Sequence, residues 1–360
     1  MIKRDMAKNL TQHSWAWWFE NTRTDQWYDC PEIMDAFGRI QELFAKSNEF
    51  RSKRKGAEPL AEIALVASEP SIFYTDHESL RDQLMWQREL EFERIGAPYH
   101  YYYLRDLADP RMPDYKLYVF LNPLAIGQSE RDAIKEKLSR SGATALWCYA
   151  PGLINPDAEP KLSVEHMREL TGFDFAFKRG SFREGIVVTD PRGPLVEGLA
   201  KDVRWGQPDQ PMFGSFETTT RDDVRKLKSS LTDPLFYLPD SSQAAGAVFD
   251  STHLVAAGDT RAAGFRSLWF GAKYLQAELV RGAARVAGAH VYTSGGDVFY
   301  ADQDFVVISA TSAGEKTIRF PSEVDLYEVF EKKYYGKSVK IVRMQLKLGE
   351  TKVFCLRGKI

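Results

Sequence analysis

Residues 98–154 read PYHYYYLRDLADPRMPDYKLYVFLNPLAIGQSERDAIKEKLSRSGATALWCYAPGLI, and their order decides the fold. The aromatic run 99–104 predicts a strand, and a proline-bounded loop leads to a second at 117–121 (LYVFL). Ser129-x-x-Asp132 reads as a capping box opening a helix to Leu138. Residues 145–149 then form a third strand that ends in Ala150-Pro151-Gly152. Short continuous apolar strands alternating with amphipathic helices describe a wound α/β layer.

Working outward, residues 63–67 (IALVA) read as one more buried strand, and 80–94 as a helix closed by Gly96 and Pro98. Ser163 is placed to cap a helix ending at Gly172. Short strands are expected at 236–238, 247–249, 254–256 and 267–270, followed by a helix carrying Leu275, Leu279, Val280, Ala283 and Val286 on one face. Residues 58–290 are thus expected to form a mostly parallel, helix-covered sheet.

Residues 291–360 change character. β-prone runs recur at 298–301, 305–310, 317–320, 326–330, 339–348 and 352–356, with Gly295-Gly296, Gly314 and Gly349 as turns. The alternation of residues 340–348 (KIVRMQLKL) is that of a half-exposed antiparallel strand. A small antiparallel β domain follows. Residues 1–57 hold an apolar aromatic run at 15–19 and a helix opened by Pro31-Glu32, with Ile33, Phe37, Ile40, Leu43 and Phe44 at spacings of three and four. One strand and one helix cannot bury their own faces, so this segment needs a partner sheet.

The 360 residues suffice for about two to three domains. Apolar residues make up 44% and aromatic residues 13%, ample for packed cores. Lys plus Arg total 48 against Asp plus Glu 50, a balance without the electrostatic footprint of a nucleic-acid or membrane binder. Neither partner is expected. The basic run 51–55 (RSKRK) reads as a solvated linker. Cys30, Cys148 and Cys355 are odd in number and far apart, which suits reduced thiols. The basic N-terminus lacks an apolar run of secretory length, and no run of eighteen apolar residues occurs. The chain is expected to be soluble and without a signal.

Candidate chemistry is sparse. A sheet of this kind with a cysteine nucleophile would place it on a sharp strand-to-helix elbow framed by glycines. Cys148 lies two residues before the strand end with a proline in the turn, so it reads as a core thiol. The histidines at 13, 77, 100, 166, 253 and 290 stand singly, without HxH or HxxxH pairs. No metal site and no cofactor are expected. Gly193, Gly206 and Gly214 do not assemble a nucleotide fingerprint. Paired carboxylates need only roughly 5 to 10 Å of separation for glycoside hydrolysis. Glu20 is the best single candidate, because Trp17, Trp18 and Phe19 precede it and Trp27 and Tyr28 follow. Together these six residues are expected to contact a saccharide; the plainer reading is a core of tryptophans beside a loop carboxylate. No second catalytic carboxylate is identified.

At these residues a resemblance enters. Trp17-Trp18-Phe19-Glu20 followed by Trp27-Tyr28-Asp29-x-Pro31-Glu32 resembles the eighth barrel strand and final helix of (β/α)8-barrel glycoside hydrolases. The match is to large β-galactosidase-like enzymes related to family 42, which show Trp-Trp-Phe-Asp where this chain has Glu20. Residues 113–122 and 146–152 are similar to the flavodoxin/amidotransferase-like domain that follows the barrel in that family and serves in trimerisation. Residues 287–293 and 313–321 resemble its closing helix and C-terminal β domain. The resemblance implies three parts: 1–57 as the last strand and helix of a barrel, 58–290 as the α/β domain, and 291–360 as the β domain. It also implies that the acid/base and nucleophile glutamates stand at the ends of the fourth and seventh barrel strands. No residue of this chain matches either.

The expectation is therefore an accessory, oligomerising or saccharide-contacting portion of a glycoside-hydrolase-like protein, inactive alone. Its partners would be a saccharide, and either further copies of itself or a separate barrel. Two alternatives stay open. One is a self-contained hydrolase pairing Glu20 with a distant carboxylate such as Glu184 or Asp190, which requires one raised pKa. The other is a hydrolase using Cys148, which requires a histidine within reach of the sulfur.

Overall fold

A computed structural model describes residues 2–14, 30–52, 60–74, 91–178, 185–197, 199–205, 235–249, 252–262, 264–272 and 274–359. The chain separates into two units, one of residues 62–92 and 99–289, the other of residues 1–61, 93–98 and 290–360.

The first unit is built on strands β1 (Ile63–Ala67), β2 (Tyr99–Tyr103), β3 (Leu117–Phe120), β4 (Thr144–Cys148), β10 (Ala257–Ala262) and β11 (Phe265–Phe270). Five of them run parallel in the order β2-β1-β3-β4-β11, and β10 pairs antiparallel outside β11. Every residue of β1, β3 and β4 is buried, as their unbroken apolar runs require. The mostly parallel sheet expected from residues 98–154 is present. Phe120 and Trp147 stack at 4.2 Å across β3 and β4, and the Trp147 indole N–H finds the Ser267 hydroxyl at 2.9 Å. A buried indole thereby keeps a partner for its one polar atom.

Among the helices of this unit are α3 (Gln128–Ser141), α4 (Val164–Thr171) and α5 (Ala277–Val286). The cap of α3 differs from the Ser129/Asp132 expectation. The helix starts two residues earlier, with Gly127 at the cap position, so Ser129 falls inside its first turn. The free N–H groups are taken instead by two carboxylates: Glu130 accepts from Gly127 at 2.6 Å, and Asp157 from Gln128 at 2.7 Å. Negative charge at the positive helix end supports the start electrostatically. For α4 the expected cap holds, with Ser163 Oγ accepting the Glu165 N–H at 3.1 Å and Gly172 closing the end at φ +80°.

Two smaller sheets complete the unit. β5 (Ala176–Lys178) pairs with β8 (Leu235–Tyr237), and β6 (Ile186–Val188) lies between β7 (Arg204–Trp205) and β9 (Ala247–Phe249). The strand expected at 254–256 lies further on, as β10, whose Asp259 pairs with Arg266 on β11 at 2.5 Å. An edge strand carries polar residues on its open side, which disguised 257–262 as a loop. The helix expected over 80–94 falls mostly outside the described residues, and 92–94 form a 3-10 turn.

The second unit is an antiparallel sheet in the order β12-β13-β16-β14-β15, from β12 (Val298–Ala301), β13 (Phe305–Ser309), β14 (Gly314–Glu328), β15 (Lys333–Leu346) and β16 (Thr351–Cys355). Alternate residues of the central strands enter two cores. Phe299, Val306, Ile308 and Phe354 pack with Ile318, Phe320, Val342, Met344 and Leu346. Val298, Tyr300, Phe305, Val307 and Val353 pack beneath two helices, α1 (Ile2–Thr11) and α2 (Pro31–Ser52), through Ala7, Leu10 and Leu43. The C-terminal sheet is thus the surface on which the first segment buries its apolar residues. Polar clamps fix the contact. Arg51 bonds the Asp302 carboxylate and the Leu10 carbonyl (3.0 Å), while Glu93 accepts from Lys8 and from the Tyr300 hydroxyl (2.6 Å).

Candidate functional site

In an open parallel sheet, ligands bind at the carboxyl ends of strands where the strand order reverses. Here that point lies between β1 and β3. The residues leaving these strands are Ser68 and Asn122, both buried. The Asn122 side chain bridges the gap, accepting the Ser68 N–H at 2.7 Å and donating to the Ser68 carbonyl at 2.9 Å. Ser71 Oγ donates to Ser68 Oγ at 2.7 Å and accepts the Ala125 N–H at 2.8 Å. These bonds tie the loops after β1 and β3 to one another, where a ligand would have to separate them.

Arg131, 2% exposed, seals the neighbouring loops. It projects from α3 and donates from all three guanidinium nitrogens to main-chain carbonyls: Ile126 at 3.0 Å, His166 at 2.8 Å and Gly152 at 2.5 Å. Burial pulls its pKa down, opposed by Glu169 and Glu130. Gly152 is required beside it: the backbone has φ +66°, and a Cβ would stand 2.7 Å from the Arg131 nitrogen. The loop after β4, where a wound sheet displays its nucleophile, is held down by a cation.

Cys148 sits within that strand as the core thiol expected. Its sulfur donates to the Leu121 carbonyl at 2.8 Å, and burial pushes its pKa up to about 12. Nucleophilic cysteines need the opposite shift. The left-handed elbow residue is the next one, Tyr149, at φ +53°. Its N–H bonds the Phe270 carbonyl at 2.9 Å and its carbonyl accepts the Trp269 indole at 2.8 Å. A positive φ in a bulky residue persists only when its surroundings over-determine it. Arg131, Tyr149 and the Ser68–Ser71–Asn122 network were not read from the sequence.

The saccharide-contact residues Trp17, Trp18, Phe19, Glu20, Trp27 and Tyr28 lie outside the described residues, as does Glu184. Asp190, the other carboxylate considered as a partner for Glu20, is partly exposed and bonded by Arg192 at 2.9 Å through both oxygens. Those bonds hold its carboxyl down at about 2, away from the raised value a general acid needs. Among the described residues no three His, Cys, Asp or Glu side chains converge on a metal-sized site. None of the described helices is long and apolar enough to cross a membrane. On the second unit, the bulge of β14 after Arg319 opens a recess of about 420 Å³, lined by Tyr292, Phe320, Val324, Glu323, Asp325 and Arg357 among others.

No family model matches the sequence, and no curated protein matches it. Solved structures do. The β-galactosidase from Bacillus circulans sp. alkalophilus aligns over 89% of this chain and 45% of its own, at 10% identity and a TM-score of 0.53. The cold-adapted β-galactosidase from Rahnella sp. R3 aligns over 88% of this chain and 44% of its own, at 12% identity and a TM-score of 0.51. That from the psychrophilic Marinomonas ef1 aligns over 91% and 42%, at 8% identity and a TM-score of 0.50. The resemblance drawn from the motif order therefore holds as a likeness of fold, and the chain spans less than half the length of each of these enzymes.

Proposed function

We propose that this chain is the accessory, oligomerising portion of a glycoside-hydrolase-like protein acting on carbohydrate, without glycosidase activity of its own. In this reading residues 1–57 are the last strand and helix of a barrel, 58–290 an amidotransferase-like α/β domain, and 291–360 the closing β domain. The observation that carries the reading is the fold likeness over nine-tenths of this chain, set against less than half of each β-galactosidase. The closed carboxyl end of the parallel sheet supports it. A domain kept for assembly has no use for the ligand crevice of its fold; Asn122 ties that position shut and Arg131 holds the neighbouring loops, both through hydrogen bonds. Trp17, Trp18, Phe19, Glu20, Trp27 and Tyr28 would contact a saccharide held mainly by the barrel.

The test is hydrolysis of a panel of aryl glycosides and natural oligosaccharides by purified 1–360, beside Glu20→Gln, with the mass in solution measured by light scattering. No turnover together with a multimer is expected. Turnover that the Glu20→Gln change abolishes would overturn the accessory reading and make Glu20 a catalytic carboxylate.

A further inference from the structure

The chain is electrically balanced overall, yet residues 332–349 contain Lys332, Lys333, Lys337, Lys340, Arg343 and Lys347 and no acidic residue. Four of these lie on β15, the outermost strand of the C-terminal sheet, and Lys332 and Lys347 flank it. All six side chains are exposed. Among the described residues none of the six forms an ion pair, whereas the inward lysines of the same sheet are paired: Lys316 with Asp297 and Lys352 with Glu331 and Glu350. Across the register β14 adds Arg319 opposite Ile341, and two acids, Glu315 opposite Gln345 and the buried Glu328 opposite Lys333, neither of which forms an ion pair with β15. Tyr334 (44% exposed) and Ile341 (51% exposed) present apolar surface between the cations.

We infer that β15 is a binding edge for an anionic polysaccharide, one bearing carboxylate or sulfate groups along an extended chain. Lysines on an edge strand discourage pairing with other strands, and a single inward or edge charge is already a barrier to it. Six cations in a stretch that itself holds no acid exceed that need and repel a second copy of the same edge. A strand of 14 residues presents these charges along a line of about 45 Å. A line matches an extended chain, whereas a bilayer asks for a patch. Five of the six cations are lysines, point charges without the planar fork that makes arginine the usual reader of phosphodiesters. Backbone N–H and C=O groups on the open side of the edge are available to sugar hydroxyls, and Tyr334 offers a ring to a sugar face. The choice of a polysaccharide over other polyanions rests on the carbohydrate reading above; the cationic edge does not.

The experiment measures binding of fluorescently labelled polygalacturonate and dextran sulfate to the full chain by anisotropy. Uncharged dextran, duplex DNA and phosphatidylserine vesicles are run in parallel. Binding to the two acidic polysaccharides is expected, weakening about 50-fold between roughly 50 and 200 mM salt for four engaged cations. The combined variant Lys337→Glu, Lys340→Glu, Arg343→Glu, Lys347→Glu should lose at least about 100-fold at the lower salt, at an unchanged melting temperature. The same positions changed to Arg or Lys in exchange should bind as the parent does, and Lys53→Glu, Arg54→Glu, Lys55→Glu should bind nearly as well. Absence of binding to either acidic polysaccharide, or a quadruple Glu variant that binds like the parent, overturns the inference. Tighter binding to DNA or vesicles overturns the polysaccharide as partner. Glycosidase turnover by the chain alone would sink the accessory reading and leave this edge standing.

Discussion

At the carboxyl end of the parallel sheet, every nitrogen of the buried Arg131 guanidinium is matched to a carbonyl; along and beside β15, six cations are exposed and, among the described residues, none forms an ion pair. Both regions are rich in hydrogen-bonding groups, and both lie where a fold of this kind can present a ligand site. The difference is in satisfaction. A buried polar network whose members all have partners rigidifies the loops it joins and leaves no valence for a ligand. Exposed charges without partners cost little in the folded state and stay available. A search for function by fold alone would go to the switch point between β1 and β3; the pairing of the polar groups directs it to the outer strand.

The largest expected effect attacks the first side of this comparison. Arg131→Met would take a charged donor from the carbonyls of Ile126, Gly152 and His166, each lost bond costing about 1.5 to 3 kcal/mol. Relief of the buried charge offsets part of the sum, so a loss of about 4 kcal/mol is expected in urea unfolding. A loss below about 1 kcal/mol would mean that the loops after β3 and β4 are held by something else. The next effect compares two lysines of one hairpin. Lys316, 6% exposed, bonds the fully buried Asp297 at 2.8 Å, while Lys340 is exposed on the neighbouring strand. Lys316→Met strands a buried carboxylate and should cost about 3 kcal/mol. Lys340→Met should change stability by less than about 0.5 kcal/mol. Equal effects in melting experiments would erase the distinction between structural and available cations.

How far the sequence disclosed these regions follows from what each depends on. The parallel strands were legible because IALVA, LYVFL and ALWCY are short apolar runs, and only burial on both faces explains such runs. The Arg131 seal was not, since an arginine at 131 looks like any helix surface residue until the loops at 126 and 152 close around it. Asn122 and Ser68 are likewise ordinary turn residues whose pairing is 54 positions apart. Helix α1 escaped notice because only Met6, Ala7 and Leu10 mark its buried face. The cationic strand was in plain view, but a count of 48 against 50 averaged it away, and Gly336 and Lys337 interrupted the alternation that marks 340–348. Of the residues picked for saccharide contact, none lies in the described part, so their test is chemical.

The smallest effect concerns Cys148, and it shows as a pH dependence only above about pH 9. The thiol is buried beside β3, with its S–H on the Leu121 carbonyl, and its pKa is pushed up to about 12 from an ordinary 9.0. In the folded chain it stays neutral where the unfolded chain would ionise. Its contribution to stability is therefore fully present below pH 9 and is lost as pH rises from about 9 toward 12, by about 1.4 kcal/mol per unit. Cys148→Ala should remove that alkaline slope, seen as a smaller drop in unfolding free energy between pH 9 and about 10.5. The same burial sets reactivity. Cys30 is only partly buried, whereas Cys148 and Cys355 are buried. At pH 8 a thiol reagent should thus modify Cys30 rapidly, and the other two only as fast as the fold opens. Rapid modification of Cys148 in the folded chain would mean that the loop after β4 opens readily. In that event the seal by Arg131 would be a gate, and the contrast between the closed sheet end and the open strand would fail at its first term.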